Sequence, residues 1–223
     1  MQKELINHLS QFSTENRWNL FKQIIEYRTK YITVVLEDIF QPHNASAVLR
    51  TADCFGIQDI HIIENENEYT LSHDVTRGSY KWLNLKKYNE KENNTLNTIN
   101  ELKSQGYRIV ATTPHTNDVE LENFDLSKGK TALLFGSEMP GLSKIAMENA
   151  DEFLKIPMYG FTESFNISVS ASIILHHLTY ELRKSEINWQ LSDNERDNVL
   201  LDWLRKTIKS SKLIEKAFLE KRK

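Results

Sequence analysis

This chain is poor in the residues that most often declare a chemistry. Cys54 is the only cysteine, which excludes an intramolecular disulfide and any four-cysteine zinc site. No two of the seven glycines form a Gly-x-Gly pair, so there is neither a dinucleotide fingerprint nor a Walker loop. A Gly-x-Ser-x-Gly elbow is missing as well. His8, His43, His61, His73, His115, His176 and His177 fall at no Cys/His metal spacing, and the adjacent His176 and His177 point to different faces of a helix, so no metal is expected. No apolar run approaches the length of a membrane span, and Met1–His8 lacks an apolar signal core. Hydrolase, nicotinamide-enzyme and metalloenzyme readings weaken together, and the expected location is cytoplasmic.

What is present is an ordinary globular composition, with 39% hydrophobic and 26% charged residues. Ten Phe, eight Tyr and four Trp argue against disorder. A length of 223 residues fits one domain with appendages or two small domains. Cys54, between Ala52 and Phe55, is expected to be buried and inert. Net charge is −3, but its distribution is uneven. From Trp203 to Lys223 eight basic residues face two acids, while acids gather in 64–68 and 118–125. Such a tail is the footprint of polyanion binding, with a solvated basic helix as the plainer alternative.

The stretch Ile156–Leu175 organises the rest. A short strand, 153–156, turns at Pro157 and Gly160 and runs into a long helix. Ser164 and Asn166 stand where that helix should begin and can accept from its free N–H groups. Ser168, Ala171 and Ser172, at i, i+3 and i+4, give it a face of small residues that lets another helix approach closely.

Ahead of it, 14–29 reads as an amphipathic helix with Trp18, Phe21, Ile24 and Ile25 on one side. Strands are expected at 31–36, 59–63, 82–85, 107–111 and 131–135. Helices are expected at 45–55 and 95–105, closed by Gly56 and Gly106, and from Ser143. A short helix falls within 69–77, and two helices, 192–209 and 211–221, end the chain. The alternation argues an α/β fold with a mostly parallel sheet flanked by helices. The expected division is 1–30 as a helical extension, 31–184 as the α/β domain and 185–223 as a basic helical extension.

In open α/β sheets ligands bind outside the carboxyl ends of the strands. Four loops fall there, namely 41–44, 112–114, 136–141 and 158–166. Three segments in these regions, Asn44-Ala-Ser-Ala-Val-Leu-Arg50, Leu133-Leu-Phe-Gly-Ser-Glu-Met-Pro-Gly-Leu-Ser143 and Ile156-Pro-Met followed by Ser164-Phe-Asn-Ile-Ser168, resemble the three ordered motifs of the SpoU/TrmH RNA ribose 2′-O-methyltransferases of the SPOUT superfamily. The likeness covers about 14–209 and includes Asp202-Trp-Leu-Arg-Lys206, which points to the tRNA-directed branch. Phe165 stands where the family usually has Leu, and His176-His177 where it has a Tyr/aliphatic-Glu pair.

The resemblance implies a SPOUT fold with a C-terminal deep trefoil knot, S-adenosylmethionine as methyl donor, and a homodimer whose interface includes the Ser168/Ala171/Ser172 face. It implies methylation of the ribose 2′-hydroxyl of a tRNA D-loop guanosine, at position 18. Donor contacts would fall to Thr112, Gly136, Ile156 and Phe165, largely through backbone groups. Arg50 is the motif arginine treated as catalytic in the family. Because a guanidinium stays protonated, the role expected for it is to hold the adjacent phosphate and stabilise the oxyanion rather than to act as base. Asn44 would cap its helix and orient Arg50 or the ribose, Glu138 would fix its loop or hold the arginine, and Asn166 would line the reactive pocket. Arg17, Arg28, Arg205, Lys206 and Lys209 are the candidates for RNA phosphate contacts. The alternatives are another tRNA position, rRNA, or a catalytically silent RNA-binding factor on the same fold.

Overall fold

The computed structural model describes residues 1–70, 72–114, 119–137 and 139–221, apart from the side chain of His73. The aliphatic runs form strands β1 (Ile32–Glu37), β2 (Asp59–Ile63), β3 (Asn84–Tyr88), β4 (Arg108–Thr112), β5 (Val119–Glu120), β6 (Thr131–Phe135) and β7 (Glu152–Lys155). Among the described residues they make one sheet in the order β3-β2-β1-β6-β4-β7-β5, and all six pairings are parallel. The central β1 and β6 are buried at every residue, as parallel strands covered on both faces must be.

The helices are α1 (Gln2–Ser10), α2 (Glu15–Ile24), α3 (Pro42–Cys54), α4 (His73–Thr76), α5 (Asn94–Ser104), α6 (Lys144–Asn149), α7 (Ile167–Lys184), α8 (Asp193–Thr207) and α9 (Ser211–Glu220). Strand alternation divides the core between two faces. Val34, Leu36, Ile60, Ile62 and Leu133 pack with Val48, Leu49 and Ala52 of α3 and Ala171, Ile174 and Leu178 of α7. Val35, Ile63, Ile109, Ala132 and Leu134 meet Ile99 and Leu102 of α5 and Ala146 of α6.

The chain divides into two compact units, Lys30–Trp189 and the terminal segments Met1–Thr29 with Gln190–Lys223. The two extensions therefore form one body rather than two. Its interior is Leu5, Ile6 and Leu9 of α1, Phe21 of α2, and Val199, Leu201, Trp203 and Leu204 of α8. Helix α1 is not foreseen from the sequence, because nine residues with only three buried ones carry too little periodicity. Helix α8 starts on a capping box, with Ser192 Oγ accepting from the Glu195 N–H and the Glu195 carboxylate accepting from the Ser192 N–H at 2.9 Å.

Several local expectations need correction. Helix α3 begins at Pro42, three residues early, because Pro is well placed in a first helical turn, where its missing N–H is no loss. Cys54 is exposed rather than buried, since it ends α3 on the side away from Ala45, Val48, Leu49 and Ala52. Of the Ser168/Ala171/Ser172 face, Ala171 and Ser172 turn inward to α3 of the same chain, while Ser168 stays half-exposed. Ala171 is fully buried and Ser172 Oγ lies 3.2 Å from Thr51 Oγ1. Small residues there allow α3 and α7 to pack closely.

Candidate functional site

Three loops leave the carboxyl ends of β4, β6 and β7 and enclose a cavity of about 650 Å³. One wall is Thr112-Thr113-Pro114. A second is the loop after β6, with Gly136, Ser137, Met139, Pro140, Gly141 and Leu142. The third is Ile156, Met158, Ser164, Phe165 and Asn166, leading into α7, and Phe135, Leu154, Ile167 and Ile174 give an apolar floor. The volume falls in the range of small-molecule and cofactor sites, and an apolar floor with a polar rim is their usual chemistry.

Gly136 is required here for space. A Cβ on it would run into the backbone of Gly141 and Leu142, so the loop closes on itself only over a glycine. Gly141 supplies the return at φ +86°, a left-handed conformation. The loop ends at Ser143, whose Oγ accepts from the Ala146 N–H at 3.1 Å and caps α6.

Ser143 is held in turn by Glu37, the last residue of β1, which is 2% exposed. Its carboxylate accepts from the Ser143 N–H at 2.8 Å, the Ser143 hydroxyl at 2.7 Å and the Thr95 hydroxyl at 2.6 Å. Next to it Asp38 Oδ1 accepts from the N–H groups of Asn65, Glu66 and Asn67 at 2.7, 2.9 and 3.2 Å. These two adjacent acids thus fasten two different loops to the end of the central strand. Nothing in the sequence reading singled out Glu37. The available signal was an acidic residue ending a β-branched, mostly apolar strand.

All four residues assigned to the donor, Thr112, Gly136, Ile156 and Phe165, line this one cavity. Thr112 spends its hydroxyl on the Leu134 carbonyl at 2.7 Å, so that hydroxyl is already engaged within the sheet. Asn166 also lines the cavity and caps α7, its Oδ1 accepting from the Ser168 N–H at 2.8 Å. Ser164 lines the cavity but does not cap the helix.

Asn166 Nδ2 lies 3.3 Å from Asn44 Oδ1, so two of the proposed catalytic residues meet. Asn44 is the third residue of α3 and nearly buried, and therefore bridges α3 to α7 instead of capping its helix. Arg50 is exposed on α3, outside the cavity lining, and makes no hydrogen bond or ion pair to a described residue. Glu138 lies outside the described residues.

The RNA candidates divide. Arg17 on α2 and Lys209 after α8 are exposed. Arg205 and Lys206 are exposed but paired, Arg205 Nε at 3.0 Å from Glu215 and Lys206 Nζ at 2.5 Å from Asp202. Arg28 does not fit the role. It is 3% exposed and stacks on Trp203 at 5.3 Å, so its guanidinium belongs to the interior of the terminal unit.

A parallel sheet with a loop-built cavity at its carboxyl edge defines an α/β ligand-binding protein, and the comparisons narrow it. Residues 31–176 match the model of the SpoU rRNA Methylase family, and the chain belongs to that family. It is 44% identical over 210 residues to the tRNA (guanosine(18)-2′-O)-methyltransferase of Borreliella burgdorferi, covering 94% of each chain. The crystal structure of the A. aeolicus TrmH/SpoU tRNA modifying enzyme superposes with a TM-score of 0.76 at 29% identity, over 88% of this chain and 98% of that one. The SpoU methyltransferase AviRb from Streptomyces viridochromogenes, solved in complex with the cofactor AdoMet, shares the fold at a TM-score of 0.58 and 21% identity, over 74% of this chain and 62% of that one.

Proposed function

We propose that this protein transfers a methyl group from S-adenosylmethionine to the ribose 2′-hydroxyl of guanosine 18 in the D-loop of tRNA. The observation that carries the reading is the convergence of Thr112, Gly136, Ile156, Phe165 and Asn166 on one cavity. The 44% identity to a tRNA guanosine-18 enzyme over 94% of both chains supports the choice of substrate.

The residues present fit the donor. The apolar floor suits its carbon framework, and the glycine-tight loop brings backbone groups to the cavity edge. When bound, S-adenosylmethionine supplies an electrophilic methyl group on a sulfonium. The chain's residues then have to orient the ribose and manage the charge that grows on its 2′-oxygen. Asn166, at the cavity rim and held across α7 and α3 by Asn44, presents its amide to the ribose. Arg50 holds the phosphate next to the reacting ribose and stabilises the developing oxyanion. Arg17, Arg205, Lys206 and Lys209 contact phosphates further along the RNA.

The same reading includes a homodimer, a threaded C-terminal segment and a cytoplasmic location. Exposed Met139, Tyr159 and Phe161 near the cavity support a covering partner. Among the described residues no helix is long and apolar enough to cross a membrane.

The decisive experiment is transfer of labelled methyl from S-adenosylmethionine to an unmodified tRNA transcript, beside one with guanosine 18 replaced. Incorporation into the first alone is expected. Incorporation into both would move the target to another nucleotide, and none into any tRNA would leave rRNA or a silent binding factor.

A further inference from the structure

Beside α3 runs a segment that the reaction as described does not use. The Ser72 N–H donates to Ser46 Oγ at 3.0 Å, near the start of α3, and Gln58 Nε2, just past its end, donates to the Trp82 carbonyl at 3.0 Å. Residues 72–82 therefore run alongside α3, and Arg77 falls between those two tie points. Helical spacing sets the sides. Thr51 and Asn44 turn to α7, as their bonds to Ser172 and Asn166 show, and Ser46 turns to the 72–82 segment. Arg50, four residues after Ser46, shares the Ser46 side, and His43 lies close by at the exposed start of the helix.

Arg77 is exposed and forms no ion pair or hydrogen bond with a described residue. It holds φ +45°, followed by Gly78 at φ +86°. Lys81, four residues on, is exposed and likewise without an ion pair among the described residues. The acids nearby are Asp74, exposed, and Asp53, half-buried. Two arginines, a lysine and a histidine against two acids leave this side of α3 and the segment beside it net basic, with the motif arginine among them.

We infer that Arg77, assisted by Lys81, is a phosphate-binding residue for the RNA substrate. It extends the contact made by Arg50 along the outer side of α3, away from the methyl-donor cavity. The inference rests on the tRNA methylation reading and names a substrate contact for it. Its partner is the RNA backbone, so the effect falls on substrate affinity and salt dependence and not on donor binding.

The test uses Arg77→Asn, because asparagine tolerates the left-handed backbone while removing the charge, and Arg77→Lys, which keeps the charge. Each full-length variant is assayed with an unmodified tRNA transcript across a series of salt concentrations, and donor affinity is measured by calorimetry. For Arg77→Asn the KM for tRNA should rise about fivefold, with kcat within about twofold and the slope of log affinity against log salt shallower by about one. Arg77→Lys should recover most of both. An unchanged KM and slope in Arg77→Asn, with the unmodified enzyme active, would overturn the inference, as would a loss of donor affinity in that variant. Failure of the unmodified enzyme to methylate any tRNA would instead overturn the reading on which it rests.

Discussion

Glu37→Ala is the most informative single change in the cavity wall. It removes the acceptor for three donors in a site that is 2% exposed. The Thr95 and Ser143 hydroxyls can rotate toward other oxygens, but the Ser143 N–H is fixed by the chain and stays orphaned at about 1–3 kcal/mol. With the lost charge-assisted bonds the whole effect should be about 3 kcal/mol, a fall of about 6–12 °C in Tm for a unit of this size. The functional effect follows from where the freed bonds lie. Ser143 ends the loop that forms one cavity wall, so donor affinity should drop at least about tenfold at temperatures where the variant is fully folded.

Three companion variants separate positioning from plain stability. Thr95→Val removes one bond from the same carboxylate on the α5 side, and should lower Tm slightly with donor affinity unchanged. Ser143→Ala removes the loop-side hydroxyl and the α6 cap together, and should weaken donor binding. Glu37→Gln can turn its remaining oxygen to the Ser143 N–H while both hydroxyls reverse, so it should lose only about 1 kcal/mol. Isothermal calorimetry with S-adenosylmethionine, beside thermal unfolding, reads both quantities. Donor affinity within twofold of the parent in Glu37→Ala, despite a lowered Tm, would refute the reasoning.

Two further outcomes follow from the same structure. Gly136→Ala places a methyl group into the Gly141-Leu142 backbone, and should abolish measurable donor binding while the terminal unit stays folded; retained donor affinity would show that the loop has room. His61 is buried at 6% exposure beside the Tyr88 hydroxyl at 2.9 Å, and burial pushes its pKa down to about 4. The folded state therefore holds the neutral ring, so stability is full above about pH 6.5 and declines as pH falls toward 4, by about 3 kcal/mol in all. In urea titrations across that window His61→Gln should show a shallower decline, and curves parallel to the parent's would rule out this histidine as the source.

The legibility of the site varied with how local the cause was. Ser143 capping α6, Asn166 capping α7 and the glycine stops after α3 and α5 are set by neighbours a few residues away, and the pattern of side chains along the chain carries them. Arg28 was misplaced because an arginine on an amphipathic helix looks solvated unless Trp203, far along the sequence, is known to stack on it. The small face of α7 suggested a close partner, but whether that partner was another chain or α3 depended on Thr51 meeting Ser172 across 121 residues of sequence separation. For Glu37 the local signal, an acid closing an apolar strand, does not say which distant loop it will hold.

Residue order alone carries the alternation of strands and helices, the absence of metal and nucleotide motifs, and three motif segments at strand-to-helix junctions. These rest on short-range steric preference, periodicity and residue identity. It took the folded chain to show that Thr112, Gly136, Ile156, Phe165 and Asn166 line one cavity, that Arg50 stands outside it, and that Glu37 clamps its wall. The strand order β3-β2-β1-β6-β4-β7-β5 is the physical reason. It sets β6 between β1 and β4, so loops from distant parts of the chain converge at one sheet edge, and that order is fixed by long-range packing of faces which look alike when read one strand at a time.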